Sequence, residues 1–391
     1  LILKITCAGG LMNIKRVGII GGGQLAWMMA DAAKKLEIEL IIQTPSENDP
    51  AATIADDLVL AKIDDAEATA ELATRCDVIT FENEFVDLAA LQILADRGVC
   101  FRPSLATLAP LLDKYHQRSY LQKIGLPSPR FIALESGEQN TSPFGFPVVL
   151  KARRHGYDGQ GTFIIKNLDE LNATCKRLEK AELLLEEFIP FDRELGVIAA
   201  RSVSGEIVVY PVVETQQEEQ VCRRVIAPAN VSEQVNRQVE SIASVLLTQL
   251  QAVGVFGIEF FLTGDGKVLV NEIAPRTHNS GHYTLDACET SQFEMLLRAV
   301  AGLPLVSPAL KSAGAVMVNL LGYKHSQHDY RAVRDKIAAI PGAFVRWYGK
   351  KESRPGRKLG HITVLLNEEE KQRAIDLAQE IESIWYDATQ E

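Results

Sequence analysis

The sequence predicts an α/β protein of more than one domain that opens on a helix-covered parallel sheet. Three observations lead there. The chain has 391 residues, enough to bury two or three separate cores. Its first hundred residues alternate short apolar runs with helical stretches, which is the pattern of a parallel sheet. Further on, apolar runs flank Ser204-Gly205 and Asp265-Gly266, and such turn pairs join antiparallel strands.

Taken in order, RVGIIGGGQL runs an apolar strand into glycines, and Ala26 to Leu36 then reads as a helix. Strands follow at Glu39–Gln43, Leu58–Ala61 and Asp77–Phe81, and the first domain, 12–110, closes near Pro110. A helix in LLDKYHQRSYLQKIGLP is stopped by Gly125 and Pro127, and Ala133 to Gly145 reads as a loop. Strands VVLKARR and GTFIIKN, a helix over Leu168–Lys180 and the strand ELLLEEFI make a lid-like unit over 111–190. Two hairpins with a long helix between them, from about Val231 to Gln251, occupy 191–308. Three strands, AVMVNLLG, GAFVRWYG and HITVLL, suggest a small terminal domain over 309–391.

Hydrophobic residues at 47% and charged residues at 24%, without a low-complexity tract, describe a chain that folds throughout. A formal charge of −10 and the lack of any Lys/Arg run exclude a nucleic-acid or membrane surface. The six cysteines are scattered without zinc-ligand spacing and read as reduced thiols, so a cytoplasmic location is expected. Leu1 to Leu11 lacks the features of a secretory signal, and Met12 is the expected start.

Several motifs carry chemistry. Gly21 to Ala26 reads GGGQLA after a strand and can cradle a phosphate at a helix N-terminus. The second strand ends in Gln43-Thr44, without the acid a dinucleotide ribose requires, so a phosphorylated substrate fits better. A glycine turn needed only for packing is the bland alternative.

If the later hairpin turns between Asp265 and Gly266, Glu259 and Glu272 fall directly opposite each other. Opposed carboxylates at about 5 Å between Cβ atoms repel unless a cation joins them or one is protonated. Magnesium takes one or two carboxylates and completes its shell with water and phosphate oxygens, so the pair points to a bound nucleotide. A bulge would break this register, and two solvated glutamates are the alternative.

Lys151, on an apolar strand ahead of HGYDGQGT, can meet nucleotide phosphates together with backbone N–H groups. Arg276, His278, Asn279, Ser280 and His282 crowd the segment after Glu272, a density suited to anion positioning and proton transfer. Lys350, Lys351, Arg354, Arg357 and Lys358 gather near the end and either clamp a substrate phosphate or stay solvated.

GGGQL, LLDKYHQRSYLQKIGLP, FPVVLKARRHGYDGQG, LLLEEFIPFDRELGV, GIEFF, NEIAPRTHNSGH and YGKKESRPGRKLGH together resemble the 5-(carboxyamino)imidazole ribonucleotide synthetases of the ATP-grasp superfamily. The resemblance spans Val17 to about Leu366, and NEIAPR followed by HNSGH is its most particular part. It implies an ATP-grasp fold with an N-terminal Rossmann-like (pre-ATP-grasp) sheet domain and a small β-rich C-terminal domain. The family function is carboxylation of aminoimidazole ribonucleotide by bicarbonate and ATP, through carboxyphosphate, in purine synthesis; a homodimer is expected.

By motif, the resemblance assigns Arg102 and Lys151 to ATP phosphates, with Gly156, Tyr157, Asp158, Gly159, Gln160, Gly161 and Thr162 as the glycine-rich cover. Glu186, Glu187, Phe188 and Ile189 match the adenine hinge, and Glu194 the acid that binds ribose hydroxyls. Glu259 and Glu272 match the magnesium ligands, with Asn271 beside them at ATP. Gly23, Gln24, Leu25, Glu82, Asn279, Ser280 and Lys351 would hold the ribonucleotide, while Arg276, His278, Lys350 and Arg357 would act on the reacting groups.

Two departures stand out. Glu82-Asn83-Glu84-Phe85 replaces the usual E-F-E-N, and Gln217 takes the place of a histidine that many members carry. Two rivals share the ATP residues: a formate-dependent glycinamide ribonucleotide transformylase, and a degenerate nucleotide-binding module. HNSGH and RPGRKLGH argue against the first, and retention of Lys151, Glu259, Asn271 and Glu272 against the second.

Overall fold

A computed structural model describes residues 14–134, 141–154, 161–178 and 181–387. The expected start at Met12, most of the 133–145 loop's middle, and Gly156 to Gln160 of the glycine cover lie outside them. Among the described residues the strands form three sheets.

The first sheet joins β1 (Arg16–Ile20), β2 (Glu39–Thr44), β3 (Asp57–Leu60) and β4 (Val78–Phe81) in the order β3-β2-β1-β4, all parallel. Val17, Ile19 and Ile20 of β1 are fully buried, as a strand covered on both faces requires. The helices Ala66–Arg75 and Leu88–Asp96 begin at Asp65 and Asp87, whose carboxylates accept the otherwise orphaned N–H groups of the first turn. The helix expected over Ala26–Leu36 is instead two, Gln24–Trp27 and Ala30–Leu36. The Met29 N–H bonds the Ala26 carbonyl, a tighter turn than the α-helical one. The change of direction accompanies burial of Leu25, Ala26, Met28 and Met29 together.

The second sheet is a small antiparallel unit of β5 (Phe131–Leu134), β6 (Val148–Ala152), β7 (Thr162–Ile165) and β8 (Leu183–Glu187), ordered β5-β8-β6-β7. Val148, Leu150, Ile165, Leu171, Leu183 and Leu185 form its core, with Leu171 coming from the helix Leu168–Arg177.

The third sheet is large and antiparallel. Its strands are β9 (Phe191–Arg201), β10 (Ile207–Val209), β11 (Val213–Glu218), β12 (Val221–Ala227), β13 (Gly254–Thr263), β14 (Val268–Ala274), β15 (Gly314–Leu321), β16 (Ala343–Trp347) and β17 (Lys358–Leu366). They run β14-β13-β9-β11-β12-β15-β17-β16, with β10 on β9. The three last strands, which the sequence reading sets apart as a small domain, therefore continue this sheet through the β12–β15 pairing. They keep a core of their own on one face, where Trp385 of the helix Ala374–Asp387 packs with Val316, Val318 and Ile362.

The helix Gln292–Ala301 ties the molecule together. Phe293, Met295, Leu296, Leu297, Ala299 and Val300 are all buried in a cluster that also holds Met29 and Ile42 of the first unit, Ala200 and Val255 of the large sheet, and Tyr348. One apolar core thus fixes the parallel sheet against the large one, and the candidate site lies where both meet the lid.

Candidate active site

Glu259 on β13 and Glu272 on β14 are directly opposed. The register that achieves this differs from the one the sequence suggests. Thr263 donates its N–H to the Lys267 carbonyl, so the turn is centred on Asp265 and Phe260 faces Val270. A regular ladder from there would place Asn271 opposite Glu259. A bulge between Glu259 and Phe260 restores the pairing with Glu272. The sequence carries the signal: Val270 and Ile273 are both in the core, and the two polar residues between them break strict alternation. The bulge is what makes the carboxylates meet, not what separates them.

The two acids are driven apart in proton affinity. Burial, the Glu272 charge and the Glu194 charge push the Glu259 carboxyl up. Burial acts on Glu272 in the same sense, but Lys114, whose Nζ lies 2.9 Å from its Oε2, outweighs it and holds Glu272 down. Nε2 of His278 is 3.7 Å from Oε1 of Glu259. Gly257, two residues before Glu259, permits this approach, since a Cβ there would meet the His278 Cβ at 2.3 Å.

Above the pair, the lid contributes Lys151 from β6. Its Nζ sits 2.8 Å from Oε2 of Glu186 and 3.3 Å from Oδ1 of Asn271, so it spans the lid and the bulge. Arg118 holds the other Glu186 oxygen at 2.7 Å. Burial raises the Glu186 carboxyl, but the two cations dominate and bring it to about 2. Burial depresses the Lys151 ammonium, and Glu186 only partly offsets this. Glu186 is thus an anchor for Lys151, its side chain already engaged at the start of the expected hinge. Glu187 is taken by Arg130, with Nε at 2.7 Å, and Phe188 and Ile189 are half-buried just beyond the strand. Thr162 begins β7 opposite Lys151, with Gly161 before it.

Glu194 on β9 is pushed up to about 7 by burial, with Lys151 acting against the rise. The Gln217 amide donates to its Oε1 at 3.3 Å, so the residue that departs from the family pattern orients this acid.

The glycine turn is built for close approach. Gly21 has φ of +115°, and a Cβ on Gly22 would meet Oγ1 of Thr44 at 2.3 Å. A Cβ on Gly23 would meet Oε1 of Glu82 at 2.3 Å. Glu82 accepts backbone N–H groups of Leu25 and Gly23, so Gly23, Gln24 and Leu25 wrap an acid at the helix start. Burial raises that carboxyl to about 7, while Arg276 and Lys350 pull it back. Arg276 also reaches Glu84, with Nε 2.9 Å from Oε1. Both acids of the altered 82–85 segment therefore meet Arg276, and Glu82 also Lys350, despite the exchanged aromatic and amide.

After Glu272, the loop turns at a short 3-10 helix, Asn279–Gly281. The His278 Nδ1 is 2.9 Å from the Ser280 hydroxyl, and the Asn279 side chain forms a reciprocal amide pair with Asn319 at 3.0 and 2.8 Å. A cavity of about 500 Å³ opens beside Lys114, Glu272, Glu84, Phe85, Arg153 and Arg154.

Three expected residues fall elsewhere. Lys351 is exposed and gives its ammonium to Oδ1 of Asn48 at 2.5 Å, whereas Lys350 lies against the Tyr348 ring at 5.5 Å and bonds the Lys358 carbonyl. Of the two, only Lys350 is near enough to Glu82 to lower its carboxyl. Arg357 bonds the Glu352 carbonyl and thereby orders its own loop. Arg102 donates to the Val300 carbonyl at 2.6 Å, where a cation suits a helix C-terminus. Conversely, the sequence reading gave no role to Lys114 or Arg118, although both lie in a quoted helix. Their spacing of four places them on one face, the signal that was available.

Family models describe three segments: a ribonucleotide synthetase preATP-grasp domain at 14–109, an ATP-grasp domain at 119–293, and a phosphoribosylaminoimidazole carboxylase C-terminal domain at 315–374. The N5-carboxyaminoimidazole ribonucleotide synthase of Synechococcus elongatus is 55% identical over 95% of this chain and 96% of its own. That of Synechocystis is 52% identical over 96% and 99%. Among solved structures, the Thermotoga maritima synthetase superposes with a TM-score of 0.83 at 42% identity, over 95% of this chain and 98% of its own. The Aspergillus clavatus enzyme, in complex with ADP and 5-aminoimidazole ribonucleotide, gives 0.86 at 32% identity, over 94% and 98%. The chain belongs to the N5-carboxyaminoimidazole ribonucleotide synthase family of ATP-grasp ligases.

Proposed function

We propose that this protein carboxylates the exocyclic amine of 5-aminoimidazole ribonucleotide, using bicarbonate and ATP with magnesium, and releases ADP and phosphate. The observation that carries this is the opposed Glu259–Glu272 pair, with lid cations on one side and the Glu82–Arg276–Lys350 group on the other. Its relatives of that name and the Aspergillus clavatus complex support the choice of substrate. The donor set fits a hard divalent cation, because it is all oxygen and a cation there would let both facing carboxylates ionise. When bound there, magnesium neutralises charge on phosphate oxygens.

The chain's own residues do the rest. Lys151 and Lys114 hold the nucleotide phosphates, and Glu194 accepts ribose hydroxyls. A bicarbonate oxygen displaces ADP from the γ-phosphate to form carboxyphosphate, which splits into carbon dioxide and phosphate. Closure of the lid keeps water from that unstable species. Arg276 and Lys350 hold the carboxyl group against the amine, and His278 accepts the proton that the amine loses as the N–C bond forms. Glu82, Asn279 and Ser280 hold the ribonucleotide. The same reading places the protein in the cytoplasm as a homodimer; no helix among the described residues is long and apolar enough to cross a membrane.

Turnover with ¹⁸O-labelled bicarbonate tests the phosphorylation step. Label in the released phosphate is expected, and unlabelled phosphate would show that bicarbonate is never phosphorylated.

A further inference from the structure

Behind the candidate site, two histidines are buried side by side, their rings tilted. His282 ends the HNSGH segment and His361 lies on β17; neither has any exposed surface, and their rings are 5.1 Å apart between centroids at 41°. Each has one nitrogen engaged. Nδ1 of His361 lies 2.8 Å from the Tyr348 hydroxyl. Nδ1 of His282 lies 3.3 Å from Nε2 of Gln292. The remaining Nε2 atom of each ring is buried and has no protein hydrogen-bond partner among the described residues. A buried polar nitrogen left unpaired costs roughly 1–3 kcal/mol, so two of them on neighbouring rings call for a shared partner.

The tautomers follow from the ends of the chain. Gln292 is oriented by the His278 backbone, for its Oε1 accepts the His278 N–H at 2.9 Å and its Nε2 donates to the His278 carbonyl at 2.8 Å. The second Nε2 hydrogen of Gln292 therefore points to Nδ1 of His282, which accepts. Neutral His282 then carries its proton on Nε2, as a donor without a protein acceptor among the described residues. Burial keeps both imidazoles neutral: it lowers each, and His361 with nearby cations adds to the effect on His282, as Arg346 does on His361. A water between the two Nε2 atoms would accept from His282 and donate to His361, and His361 Nδ1–H would then donate to the Tyr348 oxygen.

We propose that one buried water bridges Nε2 of His282 and Nε2 of His361, completing a hydrogen-bonded chain that holds the His278–Ser280 loop in register with the loop carrying Lys350. The chain runs from the His278 backbone through Gln292, His282, the water and His361 to Tyr348, against whose ring the Lys350 ammonium packs at 5.5 Å. His278 and Lys350 approach the substrate from different elements, and the only covalent path between them is long. His282, His361 and Tyr348 are positioning residues here; they do not touch substrate. The functional part of this proposal rests on the carboxylation reaction above.

Two variants remove links without emptying the core. Tyr348→Phe deletes a single oxygen. His282→Asn keeps a short polar group for Gln292 but has no atom at the Nε2 position. Each is expected to raise KM for aminoimidazole ribonucleotide about fivefold, the worth of one neutral hydrogen bond, with KM for ATP unchanged. The double variant should be no worse than the weaker single one, because the chain is already broken. Effects that multiply, equal shifts in both KM values, or an unchanged KM for the ribonucleotide would overturn the coupling. A crystal structure at about 1.5 Å tests the water directly and independently of turnover: density between the two Nε2 atoms is expected, and its absence refutes the bridge. If the wild-type protein shows no turnover with the ribonucleotide, the assigned reaction fails while the density still decides the water.

Discussion

Glu194 carries a pH dependence that can be measured. Its carboxyl is raised to about 7 in the fold, so it is mostly protonated below that value and ionised above it. In the proposed binding mode a ribose hydroxyl donates to the carboxylate, so ADP affinity should tighten as pH rises through about 7. Glu194→Gln should flatten that part of the profile in calorimetric titrations, and an unchanged profile would remove Glu194 from the ribose. The same shift acts on stability with the opposite sense. A carboxyl whose folded pKa is raised costs the unliganded fold when it ionises, so its penalty grows as pH climbs from about 4.5 through about 7. The two terminal lysines differ as well. Lys350→Ala should cut product formation about a hundredfold with ATP binding nearly intact, whereas Lys351→Ala should change either by less than about twofold. Nearly equal effects in steady-state and binding assays would contradict the placement of Lys351 on Asn48. At this scale the sequence was informative where chemistry is local. Lys151, Glu259, Glu272 and Arg276 could be named from motif and spacing alone. Lys114 and Arg118 offer only their spacing of four as a signal, and Glu84 less, because their contacts depend on partners 68 to 192 positions away in sequence.

The β13–β14 hairpin shows how an element sets the chemistry. Its bulge lets Asn271 and Glu272 both leave the core side between Val270 and Ile273, so that Asn271 meets Lys151 while Glu272 meets Lys114. Deleting Asn271 would regularise the strand and remove the Lys151 contact. Magnesium-dependent ADP affinity is expected to drop at least about tenfold with the circular dichroism spectrum preserved. Retained affinity would mean that the bulge is incidental. The elements themselves were largely legible, since alternation and turn residues mark strands directly. The break in the first long helix at Met28 and Met29 was not, because methionine is a good helix former and only the packed sheet decides the bend.

Across the whole molecule, the helix Gln292–Ala301 makes one core out of two sheets. Phe293 is fully buried within it, and Phe293→Ala should cost about 3–5 kcal/mol. Because the cavity opens in a shared core, fluorescence and circular dichroism should report a single weakened denaturant transition. Two separated transitions would show that the sheets unfold independently. The continuity of the last three strands with the large sheet was hidden from the sequence for a related reason. Pairing of β12 with β15 joins residues about ninety positions apart, and no local pattern encodes such a partner. ADP release should be measured with magnesium, ATP and bicarbonate, with and without aminoimidazole ribonucleotide, beside a control with glycinamide ribonucleotide and formate. Release that requires aminoimidazole ribonucleotide is the expected result, and release only in the formate control would contradict the assigned reaction.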